Sequence, residues 1–361
     1  MCIRDRADTN EFPELDKTKF EQRGTEFKLG IPVINAVSIG NSIAVGFGDG
    51  TVRIFTSGQC SEPIKAHKGI VLCMSKDGDH ILTGGDDGRF LKISLDGEIN
   101  EIGNFGTRWV DNVTANNGNL VCSSGKIVYL WSPNKKEPKL FQHNSTIGGI
   151  AFDAKGRRLA VSRYDGVTLW KKDYTNKWES SNLIFKGSHN KVSFSPDGKY
   201  LVTSMQENLI RCWRLKDNVD FAMSGYNTKV KSFAFVGETS YLATSGALGM
   251  GIAAAICWPF DGDGPMGRKP TCLQYSGNNQ VTFVEPFPSE KAVFAGLSDG
   301  SVYLSEIEKS SNTIIIRSFT ESEVTSIAVT EDCSSILIGC LLYTSDAADE
   351  GLGVDLGGRR I

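Results

Sequence analysis

A tight Gly/Asp turn followed by an alternating strand recurs along this chain at a nearly constant interval, and that recurrence limits the fold more than any other feature. Aligned on the turn, the copies read GDGTVRIF (48–55), DDGRFLKI (86–93), SGKIVYLW (124–131), YDGVTLW (164–170), QENLIRCW (206–213), AAAICW (253–258) and SDGSVYLSE (298–306). Anchor positions 55, 93, 131, 170, 213 and 258 lie 38, 38, 39, 43 and 45 residues apart. Such a spacing is the length of a supersecondary unit.

One period contains four short strands. Across 188–223, NKVSFSP alternates, DGKY turns, YLVTS is an apolar run, QEN turns, LIRCWRL alternates and DNVDFAM is a weaker outer strand. Four such strands make one antiparallel sheet whose two faces both need covering. Copies therefore stack face to face, and a closed ring removes the open ends, which predicts an all-β propeller. Hairpins begin near Val33, Ile70, Trp109, Ile147, Val192, Val230, Val281 and Val324. The expectation is eight four-stranded blades, or seven if the repeat at Val281 is irregular. The eighth runs out after SILIG, so the last blade is expected to be incomplete, with TEFKLG (25–30) as its outer strand.

Several residues resemble the marks of WD40-repeat proteins. His143, Ser162, Asp165 and Trp170 fall where that family places a hydrogen-bonded His–Ser–Asp–Trp set. His67, Thr83 and Asp87 form a partial set with Ile93 in place of Trp. His189, Ser204 and Trp213 form another, with Glu207 in place of Asp. The literal Trp-Asp pair is absent, since Ser132, Lys171, Arg214 and Pro259 follow the tryptophans. Longer stretches, among them GGIAFDAKGRRLAVSRYDGVTLW and GIAAAICWPFDGDGPMGRKP, resemble a bacterial, chiefly alphaproteobacterial, WD40 family over 25–339. The resemblance implies a cytoplasmic propeller and no activity. The three histidines occupy repeat positions in different blades, so a bracing role is expected of them; a metal or catalytic set must converge on one point.

The ends of the chain have a different character. MCIRDR and CLLYTSDAADEGLGVDLGGRRI back-translate to opposite strands of one transposon-end adapter of the kind used in sequencing libraries. The expected organisation is thus an adapter-derived 1–6, an extension at 7–24, the propeller at 25–339 and an adapter-derived 340–361.

Composition narrows the function classes. The 361 residues include 39 basic and 42 acidic ones, a net charge of −3, with no basic run longer than pairs such as Lys171-Lys172. Nucleic-acid binding through phosphates needs a clustered positive surface, so it is not expected. No stretch approaches the length of an apolar membrane-spanning helix, and no membrane role is expected. The nine cysteines are scattered, without C-x-x-C or zinc spacing, and read as thiols of a reducing cytoplasm.

There is no H-E-x-x-H and no Walker loop. GALGMG (246–251) has the wrong spacing for a dinucleotide, and DGDGPMG (261–267) lacks the downstream Glu of a calcium loop. Asn112 and Asn144 stand in N-x-T, which has meaning only in a secreted eukaryotic protein. No cofactor or metal is expected. The expected function is a non-enzymatic scaffold, monomeric within a complex, that docks a protein or peptide on the face carrying the loops before first strands and after second strands. Asp86, Trp109, Tyr164, Lys191, Gln206 and Ser298 are the expected contacts on that face. The alternative is a small-molecule or metal-dependent enzyme acting at the channel.

Overall fold

Hairpin chemistry sets the local structure. In the third repeat, Asn112–Asn116, Asn119–Ser124, Ile127–Trp131 and Lys139–Gln142 pair antiparallel in chain order. The first turn is Asn117-Gly118, with φ of 48° and 72°, the positive pair that a two-residue hairpin needs. Consecutive residues Val121 and Cys122 point to opposite faces and are both buried, so this sheet is covered on both sides. The computed structural model of the chain describes residues 17–247, 252–275, 279–288 and 290–341, and the backbone of 350–355.

The repeats close into a ring. Val33–Ile39 packs on Val71–Asp77, that strand on Asn112–Asn116, and Asn112–Asn116 on Ile147–Phe152. On the far side Phe233–Val236, Val281–Pro286 and Val324–Val329 pack in series, and Val324–Val329 returns to Val33–Ile39. These first strands are the innermost layer. Apolar clusters fill the spaces between sheets; the closing one joins Val33, Val45 and Phe47 to Ala328 and Leu337. Glycine on the second strand allows the close approach. A Cβ on Gly46 would stand 2.6 Å from Met74 Sδ and 2.8 Å from Val71 Cγ1, and one on Gly84 would stand 2.6 Å from Val110.

The blade count expected from the sequence is corrected. Six sheets are discrete blades holding one repeat each, rather than the expected eight or seven separate four-stranded blades, and a seventh, six-stranded sheet takes in two consecutive repeats. In chain order the fused sheet is the fourth. It arises because Trp178–Phe194 runs without a break, its first half pairing with Arg158–Lys172 and its second with Tyr200–Met205. KGSHNK holds a single glycine, Gly187 at φ 135°, which bends the strand without ending it, so an outer strand continues directly into the next inner one. One discrete blade, the first, is five-stranded, because Gln59–Cys60 and Ile64–Lys65 both pair with Thr51–Thr56.

The expected gap in the last blade is also corrected. Its strands run Val324–Val329, Ser335–Cys340, Glu350–Asp355 and Thr25–Lys28, a set of four. Residues 1–16, 342–349 and 356–361 of the segments read as adapter-derived or extension lie outside the described residues, as do 248–251 of GALGMG.

Candidate functional site

The polar sets expected to brace the ring take three different forms. In the second sheet the set closes: His67 Nδ1 stands 2.9 Å from Asp87 Oδ1 and Nε2 stands 2.9 Å from Thr83 Oγ1. Burial pushes the imidazole below its ordinary pKa against the pull of Asp87, so the contact is a hydrogen bond from an uncharged imidazole to a carboxylate. Burial alone would raise Asp87, but bonds from Lys68 N–H and His67 outweigh it and hold the carboxyl below the usual range.

The set expected at His143, Ser162, Asp165 and Trp170 does not close. His143 and Trp170 do meet edge to face, ring centroids 6.2 Å apart. Ser162, however, donates to the backbone carbonyls of Gly149 and Asn190, and Asp165, exposed at φ 69°, makes no hydrogen bond among the described residues. The physical reason is register. Thr83 stands four residues before Asp87, and the residue four before Asp165 is Val161, which is fully buried. Ser162 is one further along the strand and faces the next repeat, as Gly84 does. His143 Nε2 and Trp170 Nε1 are consequently buried with no partner. Burial, with Arg163 adding to it, pushes His143 down to about 4.

The same slip corrects the third set. His189 Nδ1 bonds Thr203 Oγ1 at 2.8 Å in place of Ser204, and its Nε2 donates to Phe185 O at 3.0 Å. Its ring lies against Trp213, centroids 5.6 Å apart. His189 also enters from another position: Phe185 holds the place that His67 and His143 hold, seven residues before the one opposite the hydroxyl position. A fourth set was not foreseen. Tyr226 Oη is 2.9 Å from Thr244 Oγ1 and accepts Trp258 Nε1–H at 2.7 Å. The signal was available, since Tyr226 precedes Val230 by the interval separating His67 from Val71, but a search for histidines passes over it.

The six expected contact residues divide by what their side chains already do. Asp86 accepts the Ile70 N–H at 2.9 Å, Gln206 accepts Lys229 Nζ at 2.7 Å and Ser298 accepts the Gln280 N–H at 3.3 Å. Trp109 and Tyr164 remain 59% and 50% exposed, with Ile70 at 39%. Ile70 and Trp109 lie in loops before first strands and Tyr164 at the register shift within Arg158–Lys172, all at one end of neighbouring sheets, and hydrogen bonds and close contacts join these segments into a row. Ile70 bonds Asp86, Gly88 lies against the Arg108 carbonyl, His143 N–H donates to Lys126 O, and Tyr164 N–H donates to Ser145 Oγ at 3.2 Å.

Lys191 belongs to the innermost layer. Its Nζ is 3.5 Å from Phe233 O and 5.3 Å from the centre of that ring. Burial within the ring lowers its pKa and pushes Glu285, on the innermost strand of the sixth sheet, up to about 8, an effect only partly offset by Lys191. Both side chains still meet solvent, Lys191 more than Glu285, so water entering the channel tempers these shifts. Above them Lys231 and Glu323 pair at 2.6 Å, reaching from the approach to the fifth sheet to that of the seventh. Among the described residues no group of three or more His, Cys, Asp or Glu is placed to hold a metal ion, and no helix is long and apolar enough to cross a membrane.

Residues 58–90 and 182–214 match the family model described as WD domain, G-beta repeat. The first stretch holds the closed His67–Thr83–Asp87 set and the second holds His189, Thr203 and Trp213. Among solved structures, the chain is similar to the crystal structure of the computationally designed Ika8 protein, with a TM-score of 0.69 and 16% identity over 90% of this chain and 96% of that one. In all, 1740 solved chains match, so the likeness speaks for the fold and for no single activity. A closed ring of antiparallel sheets makes this chain a β-propeller, and its residues 58–90 and 182–214 match the WD40 repeat.

Proposed function

We propose that the chain is a non-enzymatic scaffold that docks a protein or peptide partner on the loop face bearing Trp109 and Tyr164, within the cytoplasm of a bacterium. WD40 propellers are commonly interaction scaffolds, and the observation that carries the reading here is the exposure of two large aromatic side chains in one continuous row. Aromatic residues are the usual anchors of interfaces, because each removes a large apolar area from water at little entropic cost. Glu285 lies beside Lys191 in the channel, and the three buried histidines sit in different repeats, which favours docking over chemistry.

Affinity capture on the full chain tests the reading. W109A/Y164A is expected to lose the captured partner, while K199E/K216E, on loops at the opposite end of the sheets, is expected to keep it. Retention by W109A/Y164A and loss by K199E/K216E would reverse the assignment of the face.

A further inference from the structure

Four turns lie against one another at the end of the sheets opposite Trp109. In the third sheet Asn117-Gly118 backs onto Pro133, since a Cβ on Gly118 would stand 3.1 Å from Pro133 Cγ. Asn116 Nδ2 donates to Asp153 O and Asn117 Nδ2 to Lys155 O, each at 3.1 Å, which ties that turn to the first turn of the fused sheet. Lys172 N–H donates to Arg157 O at 2.8 Å and brings in the next hairpin tip. Residues 133–139, 153–158 and 171–179 together hold nine Lys or Arg and four Asp or Glu, a surplus of five positive charges with every carboxylate counted, in a chain whose net charge is −3. Each of the three segments supplies three of the cations, so no basic run shows along the sequence and the cluster exists only in the fold. Among the described residues, Arg158 with Asp153 is the one ion pair these cations make, and Lys135, Lys136, Lys155, Arg157, Lys171 and Lys177 are exposed. Tyr174 stands at the hairpin tip between Lys172 and Lys177, 93% exposed. Its turn is fixed by Asp173, which accepts the N–H groups of Thr175 and Lys177, each at 2.8 Å. So little of the ring packs on the fold that it is open to a planar partner.

We infer that this end of the propeller binds single-stranded RNA, with phosphates on the surplus cations and an unpaired base stacked on Tyr174. The inference does not depend on the docking face. Phosphate binding releases counterions and needs clustered Lys and Arg, and an aromatic ring accepts any base that is out of a duplex. Seven of the nine cations are lysines, a residue depleted at protein–protein interfaces, which disfavours an acidic protein here. Tyr174 is the one large exposed apolar side chain on these segments, too small an area to enter a lipid surface. RNA is the source because a cytoplasm holds far more unpaired RNA than unpaired DNA.

Anisotropy of a labelled oligouridylate of about 12 nucleotides, titrated with the full chain, tests the inference. Binding is expected at low salt, falling linearly in the logarithm of salt concentration. K155E/R157E/K171E/K177E should weaken it more than about tenfold and flatten the salt dependence, and Y174A should weaken it about tenfold while Y174F keeps it. W109A/Y164A should bind the RNA as the parent does, so this result and the fate of the docking face are read separately. In cells, an ultraviolet crosslink to the chain should be removed by ribonuclease and survive deoxyribonuclease. No binding at low salt, binding indifferent to the charge reversals or to Y174A, tighter binding of duplex RNA, polyglutamate or anionic vesicles, or an adduct removed by deoxyribonuclease would each overturn the inference.

Discussion

Replacing Val161 with Thr should stabilise this protein, although burying a hydroxyl in place of a methyl ordinarily does the reverse. His143 Nε2 and Trp170 Nε1 are buried without partners beside a fully buried Val161, at the position where Thr83 and Thr203 bond His67 and His189. A hydroxyl there accepts from Trp170 Nε1–H and donates to His143 Nε2, which is free to accept because the imidazole is neutral until about pH 4. Satisfying two buried polar atoms is worth about 1–3 kcal/mol each, against about 1–3 kcal/mol for burying the hydroxyl, a net gain of about 1–2 kcal/mol. For a chain of this size that is a rise in Tm of about 1–3 °C. Urea titration should show a higher midpoint with an unchanged slope, and the gain should vanish in an H143A background. A lower midpoint for V161T, or a gain that survives H143A, would refute the reasoning.

Four further outcomes are expected. Y226F takes away the acceptor of Trp258 Nε1–H and the partner of Thr244, and should lower stability by about 1–3 kcal/mol in the same titration. G46A drives a methyl against Met74 and Val71 and should cost about 1–3 kcal/mol, read from the urea midpoint. His143 is depressed in the folded state, so its contribution is full above pH 6.5 and is lost as pH falls through about 4, about 3 kcal/mol in all; midpoints at pH 7 and pH 4 measure it. Glu285 is raised, so its folded state is favoured below pH 4.5 and stability is lost as pH rises through about 8; E285Q should flatten that limb of the profile.

The ring was legible because both its signals, period and turn chemistry, are local. Asn117-Gly118 can hardly be anything but a hairpin turn, and the forty-residue spacing leaves few ways to bury both faces of the sheets. The number of discrete blades was less legible, since separation depends on whether an outer strand breaks before the next inner one, and at KGSHNK it does not. The bracing sets were half legible. Residue types were right at His67, Thr83 and Asp87, but one residue of slip sends Ser162 and Ser204 to the opposite face, and a sequence read without pairing cannot see which face a hydroxyl takes. Among the contact residues, Trp109 and Tyr164 present exposed aromatic rings, whereas the polar atoms of Asp86, Gln206 and Ser298 serve the loops themselves.

The docking face is tested most directly by placing a photo-crosslinking aromatic amino acid at Tyr164 in one variant and at Lys216 in another, then irradiating cells that express each. Adducts of defined mass from position 164 and none from position 216 are the predicted result. Adducts from 216 alone would contradict the account.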